Sequence, residues 1–139
     1  MLLLDTLVNP KRLVLEEIND RRDENSVHPL HRIELLDKIA WHHVNYMAKK
    51  NTITHFGFKH RGRFIKKMLG HSYVGENVCK YTSKDCSKRF SKRVVKNITD
   101  GWMSSEGHKR NILNPAYTNT GIGCVVKDGS IYIVQIFRG

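Results

Sequence analysis

Gly101-Trp102-Met103-Ser104-Ser105-Glu106-Gly107-His108-Lys109-Arg110-Asn111-Ile112-Leu113-Asn114-Pro115 is the stretch that decides how this chain is read. A bulky aromatic, Trp102, closes an amphipathic segment. Gly107 is expected to let the backbone turn, and His108 follows at once. Asn114-Pro115 initiates a further turn, and Asn111 and Asn114 are expected to serve the turn geometry after the histidine. A titratable imidazole at a bend is a candidate for chemistry, provided the fold brings it a partner.

Upstream, Phe90, Val94, Ile98 and Trp102 recur every four residues, with Lys88, Arg89, Lys92, Arg93 and Lys96 between them. That spacing predicts an amphipathic, basic helix. Downstream the period changes. Gly121–Val126 and Ser130–Phe137 are β-rich runs joined by Lys127-Asp128-Gly129, whose Asp-Gly pair suits a tight hairpin turn.

At the other end, Asn9-Pro10 is a helix start, with Val14, Leu15 and Ile18 as its stripe. Ile33, Leu36, Ala40, His43, Val44 and Met47 mark the buried face of a second helix, which Trp41 and Tyr46 are expected to widen. His55–Arg63 is basic and glycine-bearing and reads as a loop. Phe64–Leu69 reads as a short helix stopped by Gly70, and Gly75–Tyr81 as a strand. Helices come first and an antiparallel hairpin last, so the class is α+β. There is no repeat or proline-rich linker, and residues 1–139 are expected to form a single domain.

Composition bounds the function. A chain of 139 residues with 40% hydrophobic content can bury one core. It has no apolar run near the ~20 residues of a membrane span. Met1–Val8 is apolar but lacks the basic start and small-residue cleavage site of a signal peptide. Any export signal or lipid anchor is therefore expected outside this sequence. The net charge of +11 favours anionic partners. Nucleic acid is disfavoured, because no aromatics interleave the cations for base stacking and no helix-turn-helix or RNA-binding motif is present. Acidic polysaccharide or an anionic membrane surface suits the charge better. Three cysteines are too few for a disulfide framework. Cys79 could bridge to Cys86 or to Cys124, although Cys124 lies in an apolar strand and reads as a buried thiol.

The residues with chemical potential are His55, Glu76 and His108. Imidazoles and a carboxylate suit a zinc with an open position or acid–base work on water. Their wide spacing carries little weight, and no His-Glu-x-x-His helix fixes two ligands. Read from residue types alone, their default role is to hydrogen-bond the backbone where it turns. His43, on an apolar helix face, reads as a satisfied core histidine, while His42, His60 and His71 read as solvated. Lys59, Arg61, Arg63, Lys66 and Lys67 read as a basic surface patch around His60. Ser104 and Ser105 lie near His108, but no Gly-x-Ser-x-Gly elbow exists for a serine nucleophile.

Thr54-His55-Phe56, Gly75-Glu76-Asn77-Val78 and the Trp102–Pro115 stretch, in that order, resemble the CAP superfamily of cysteine-rich secretory, antigen 5 and pathogenesis-related 1 proteins. The bacterial SCP-like branch is the most similar, over about Leu13 to Phe137. The resemblance implies a three-layer α–β–α sandwich with a small, mainly antiparallel sheet and an extracellular or bacterial cell-surface setting. It also implies a cleft of two histidines and two acids, here His55, His108 and Glu76. The second acid belongs three residues after the tryptophan, where this chain has Ser105, with Glu106 one place along. The implied site is therefore one acid short. The expectation is a non-catalytic binder of a lipid- or sterol-like ligand, an acidic polysaccharide or a host component. The alternative is a hydrolase in which His55 and His108 hold zinc or another divalent cation and Glu76 works on its water.

Overall fold

The computed structural model describes residues 9–70, 73–82 and 90–139. Its elements run α1 (Pro10–Glu24), β1 (His31–Arg32), α2 (Glu34–Lys50), α3 (Phe58–Leu69), β2 (Val74–Thr82), α4 (Lys92–Met103), α5 (Glu106–Leu113), β3 (Asn119–Lys127) and β4 (Ser130–Arg138). The strands form one sheet in the order β1-β3-β4-β2. Pairing is antiparallel except for β1 on β3, which is parallel.

Strand alternation builds the three layers. Ile131, Ile133 and Phe137 of β4 face a core made with Val14 and Ile18 of α1, Val94, Ile98 and Trp102 of α4, and Ile112 of α5. Tyr132, Val134 and Ile136 face the opposite core, made with Leu36, Ala40, Val44 and Met47 of α2 and Ile65 of α3. A strand buried on both faces needs apolar side chains at nearly every position, and β4 is buried from Ser130 to Phe137. Gly121 and Gly123 of β3 let α2 approach. A Cβ at Gly121 would fall inside the backbone of Leu36, and one at Gly123 would lie 2.6 Å from the Ala40 carbonyl.

Local signals in the sequence act at several ends. The Asn9 side chain accepts from Lys11 N at 3.1 Å, and Ser91 caps α4 through Val94 N at 3.1 Å. Asp128 and Gly129 take φ of 50° and 75°, the left-handed pair that a two-residue hairpin turn requires.

Four expectations are corrected. Residues 58–63 belong to α3 rather than to a loop. Gly57 is its N-cap, with φ 81°, and the buried stripe runs through Gly62 and Ile65, so glycine hides the helical period. Gly107 makes no bend, for it lies within α5, and Ser104 and Ser105 join α4 to α5. Trp41 and Tyr46 do not widen the buried face of α2; they are 52% and 37% exposed. Cys79 and Cys124 do not bridge. Both register against Ile133, on opposite sides of β4, so two strand spacings of about 4.8 Å separate them, beyond disulfide reach. Burial pushes their thiols up to about 11 and about 12. Cys86, and with it the Cys79–Cys86 alternative, lies outside the described residues, as do His71, Lys88 and Arg89.

The sheet margins are closed by side chains. The Trp102 indole donates to Val78 O at 3.2 Å and Asn111 Nδ2 to Glu76 O at 3.3 Å, covering outward carbonyls of β2. On β3, beyond the two residues paired with β1, Asp37 Oδ1 accepts from Ile122 N at 2.9 Å. Among the described residues no helix is long and apolar enough to cross a membrane.

Candidate functional site

The Gly75-Glu76-Asn77 tripeptide sits on β2, and alternation sends its side chains to different layers. Gly75 faces Tyr117 and Asn111, where a Cβ would overlap the Tyr117 hydroxyl. Glu76 faces the α2–α3 layer. Asn77 faces α5, donating to His108 O at 3.1 Å and accepting from Asn111 Nδ2 at 2.9 Å. Asn111 is thus a strut between α5 and β2, and Asn114 is the residue that shapes the turn, through Ala116 N at 2.9 Å.

The Glu76 carboxylate has a side chain only 1% exposed. Arg61 of α3 grips it with a two-pronged fork, Nε to Oε2 at 2.7 Å and Nη2 to Oε1 at 2.8 Å. His55, on the segment between α2 and α3, adds Nδ1 to Oε1 at 2.9 Å. His43 lies 3.8 Å from the same oxygen, but its Nε2 donates to Thr54 O at 2.6 Å, so it is the satisfied core histidine that its position suggested. Arg61 is not part of the basic surface patch its neighbours suggest. It turns inward, and sequence reasoning missed it as the counterion of Glu76; its place six residues after His55, on the next helix, was the available clue.

Across the edge of β2, His108 stacks on Trp102 with ring centroids 6.3 Å apart. Its Nδ1 meets Ser105 Oγ at 2.9 Å. His55, Glu76, Asn77, Ser105, His108 and Asn111 line one recess of about 240 Å³. The fold therefore unites His55, Glu76 and His108. Ser105 stands in the recess, whereas Glu106 does not replace the missing acid: its side chain is 91% exposed and reaches Arg110 at 3.5 Å.

Nε2 of His55 and Nε2 of His108 have no partner among the described residues. With Nδ1–H donated to Glu76, a neutral His55 presents Nε2 as an acceptor. The recess can thus hydrogen-bond a polar group from two imidazoles. As a metal centre its donor set is poor. Among the described residues no three His, Cys, Asp or Glu side chains are placed to share an ion, where a catalytic zinc takes three protein ligands. The one carboxylate is already neutralised by Arg61, so these residues do not fit a catalytic divalent ion.

Two histidines of the region are held below their ordinary pKa. For His43 the cause is burial, reinforced by the charge of Arg61; for His108 it is burial and the nearby His55. The unfolded chain then binds more protons than the folded one once the pH falls below the ordinary histidine value of about 6.5. Stability is expected to be flat above that pH and to decline below it, toward the lower folded values. Melting temperatures between pH 8 and 5 check this, and His43→Gln should flatten the decline.

A three-layer α–β–α sandwich whose cleft joins a Gly-Glu-Asn strand to a histidine after the tryptophan helix defines a CAP domain. The sequence model of the cysteine-rich secretory protein family, CAP, matches residues 15–137, and the chain belongs to that family. It is 35% identical over 128 residues to the uncharacterized protein YkwD of Bacillus subtilis (strain 168), covering 90% of this chain and 46% of YkwD. The chain thus spans about half the length of that relative. In structure it is similar to an outer surface protein of Borrelia burgdorferi, with TM-score 0.74 and 20% identity over 94% of this chain and 95% of that one. It is also similar to an extracellular SCP-domain protein of Bacillus anthracis str. Ames, with TM-score 0.69 and 21% identity over 92% of this chain and 39% of that one.

Proposed function

We propose that this chain is the CAP domain of an exported or cell-surface protein that binds a ligand without transforming it. The observation that carries this reading is the state of Glu76: buried, gripped by Arg61 and occupied by His55. A carboxylate so committed is poorly placed to deprotonate water or to ligate an ion, while it is well placed to orient an imidazole. Ser105 in place of a second acid agrees with this. The extracellular setting is supported by the relatives described as outer-surface and extracellular proteins, and the charge of +11 suits an anionic ligand or partner.

The test is a calorimetric zinc titration of the wild type and of the His55→Ala/His108→Ala double variant. The expected result is no stoichiometric binding in either at micromolar zinc. Tight one-to-one binding that the double variant abolishes would restore the metal-dependent hydrolase as the better reading.

A further inference from the structure

Exposed apolar side chains are concentrated on one layer of the molecule. Of the eight large ones that stand in water among the described residues, six belong to α2, α3 and the connection between them, from Trp41 to Met68. A cluster of that kind marks a surface that another molecule covers. Within it a groove of about 500 Å³ runs between α2 and α3, lined by Ile39 and Tyr46 of α2, Phe64 of α3 and Phe56 of the connection. Phe56 is 69% exposed and Phe64 46%. Tyr46 and Phe56 are stacked with centroids 5.8 Å apart, and Tyr46 stacks on His43 in turn.

The charge of the same layer has one sign. From Lys38 to Leu69 the sequence holds eight Lys and Arg and no Asp or Glu. Arg61 is taken up by Glu76, whereas Lys59, Arg63, Lys66 and Lys67 of α3 are exposed. These four stand outside the groove. Arg63 and Lys67 are one helical turn apart and border Phe64 on its solvent side.

The occupant must therefore be apolar where it enters the groove, negative where it leaves it, and wide enough to touch both. A small ligand confined to the groove does not reach the cations. A bilayer is flat, and this surface is concave between two helices. An isologous contact with a second copy would set cations against cations. An extended peptide or a polysaccharide would leave main-chain or hydroxyl groups without partners against carbon. An α-helix meets every condition. Its backbone groups are bonded internally, and its diameter of about 10–12 Å carries the side chains that flank its inserted stripe past the groove's rim. Ile39 and Tyr46, seven residues apart on α2, span about 10 Å, two turns of such a helix.

We propose that the α2–α3 face binds an acidic amphipathic helix of a partner protein, its apolar stripe in the groove along Tyr46, Phe56 and Phe64 and its acidic flank on Arg63 and Lys67. Recognition is of the helix-in-groove kind. This rests on the binding reading above and assigns that binding to a surface distinct from the His55–Glu76–His108 recess.

The test is fluorescence anisotropy with a panel of labelled, lactam-bridged helical peptides of about four turns, carrying Leu, Phe or Met at i, i+4 and i+7 and Glu on the flanks. Saturable one-to-one binding by members of the panel is expected, weakening as salt rises. Phe56→Ser and Phe64→Ser should each lower affinity about tenfold or more with unchanged unfolding midpoints, since both rings already stand in water. Arg63→Glu combined with Lys67→Glu should lower it about tenfold, and the same peptides with Lys in place of Glu should bind that variant better than the wild type. Failure of the whole panel to saturate, or wild-type affinity in the two serine variants, overturns the proposal. So does flotation with phosphatidylglycerol vesicles without peptide binding, which would make this face a membrane surface. A dimer in sedimentation equilibrium that Phe64→Ser dissolves would give the face to a second copy and overturns it too. A negative panel alongside a negative zinc titration removes the helix site and leaves the non-catalytic reading standing; tight zinc binding removes that reading whatever the peptides do.

Discussion

Arg22→Met is expected to destabilise the protein by about 3–5 kcal/mol and to lower the melting temperature by roughly 10–15 °C. Arg22 is fully buried. Its guanidinium donates to backbone carbonyls: Nε to His28 at 2.7 Å, Nη1 to Ile112 at 2.8 Å and Asn114 at 3.1 Å, and Nη2 to Tyr117 at 3.0 Å. Two of these carbonyls close α5, where the helix dipole is negative. The others belong to the connection after α1 and to the segment entering β3. One side chain therefore ties three chain segments, and methionine fills its volume while taking the donor from the His28 and Ile112 carbonyls; those of Asn114 and Tyr117 keep Tyr117 N and His28 Nε2. Arg22→Lys should recover little, because a single ammonium cannot span the set that a planar fork reaches. Urea unfolding of the three proteins checks this. A loss under about 1 kcal/mol for Arg22→Met would mean that water or a shifted backbone satisfies the carbonyls instead.

Arg61→Met carries the second large effect, about 3–5 kcal/mol, the size expected when one partner of a buried ion pair is removed. The Arg61 and Glu76 side chains are 14% and 1% exposed, so the remaining carboxylate would stay in the interior with His55 as its close partner. Adding Glu76→Gln to Arg61→Met should return at least half of the loss, because the stranded charge is gone. A double-mutant cycle by denaturant unfolding measures the coupling. Additive effects of the two substitutions would show that the fork contributes packing rather than charge compensation.

The parts of the fold legible in the sequence are those written in local, repeating patterns. Val94, Ile98 and Trp102 at four-residue intervals mark α4, and Asp128-Gly129 between two β-rich runs marks the hairpin. The two residues of β1 carry no period, and their partner, β3, lies almost ninety positions away. The start of α3 is obscured because its inward positions hold Gly62 and Arg61, neither of which looks like a helix core. In the site, the resemblance names His55, Glu76 and His108, and these three line one recess. The residues that set their state are not legible: Arg61 among other cations looks like surface charge, Asn77 like one more strand residue, and Asn111 like a turn former. These roles arise from tertiary contacts, and a side chain's type does not state which neighbour it will meet.

The side chains that close the margin of β2 have a consequence for how the domain can open. Trp102 and Asn111 cover carbonyls of that strand, and α5 carries Asn111 and His108. A ligand too large for the recess that levered α5 away would uncover the Glu76 carbonyl on the outer edge of β2, the edge that β4 does not pair, and an open strand edge is where folded chains zip into fibres. The helix that frames the cleft is thus, with Trp102, also a guard against self-polymerisation, and this couples tolerance of bulky ligands to the risk of aggregation.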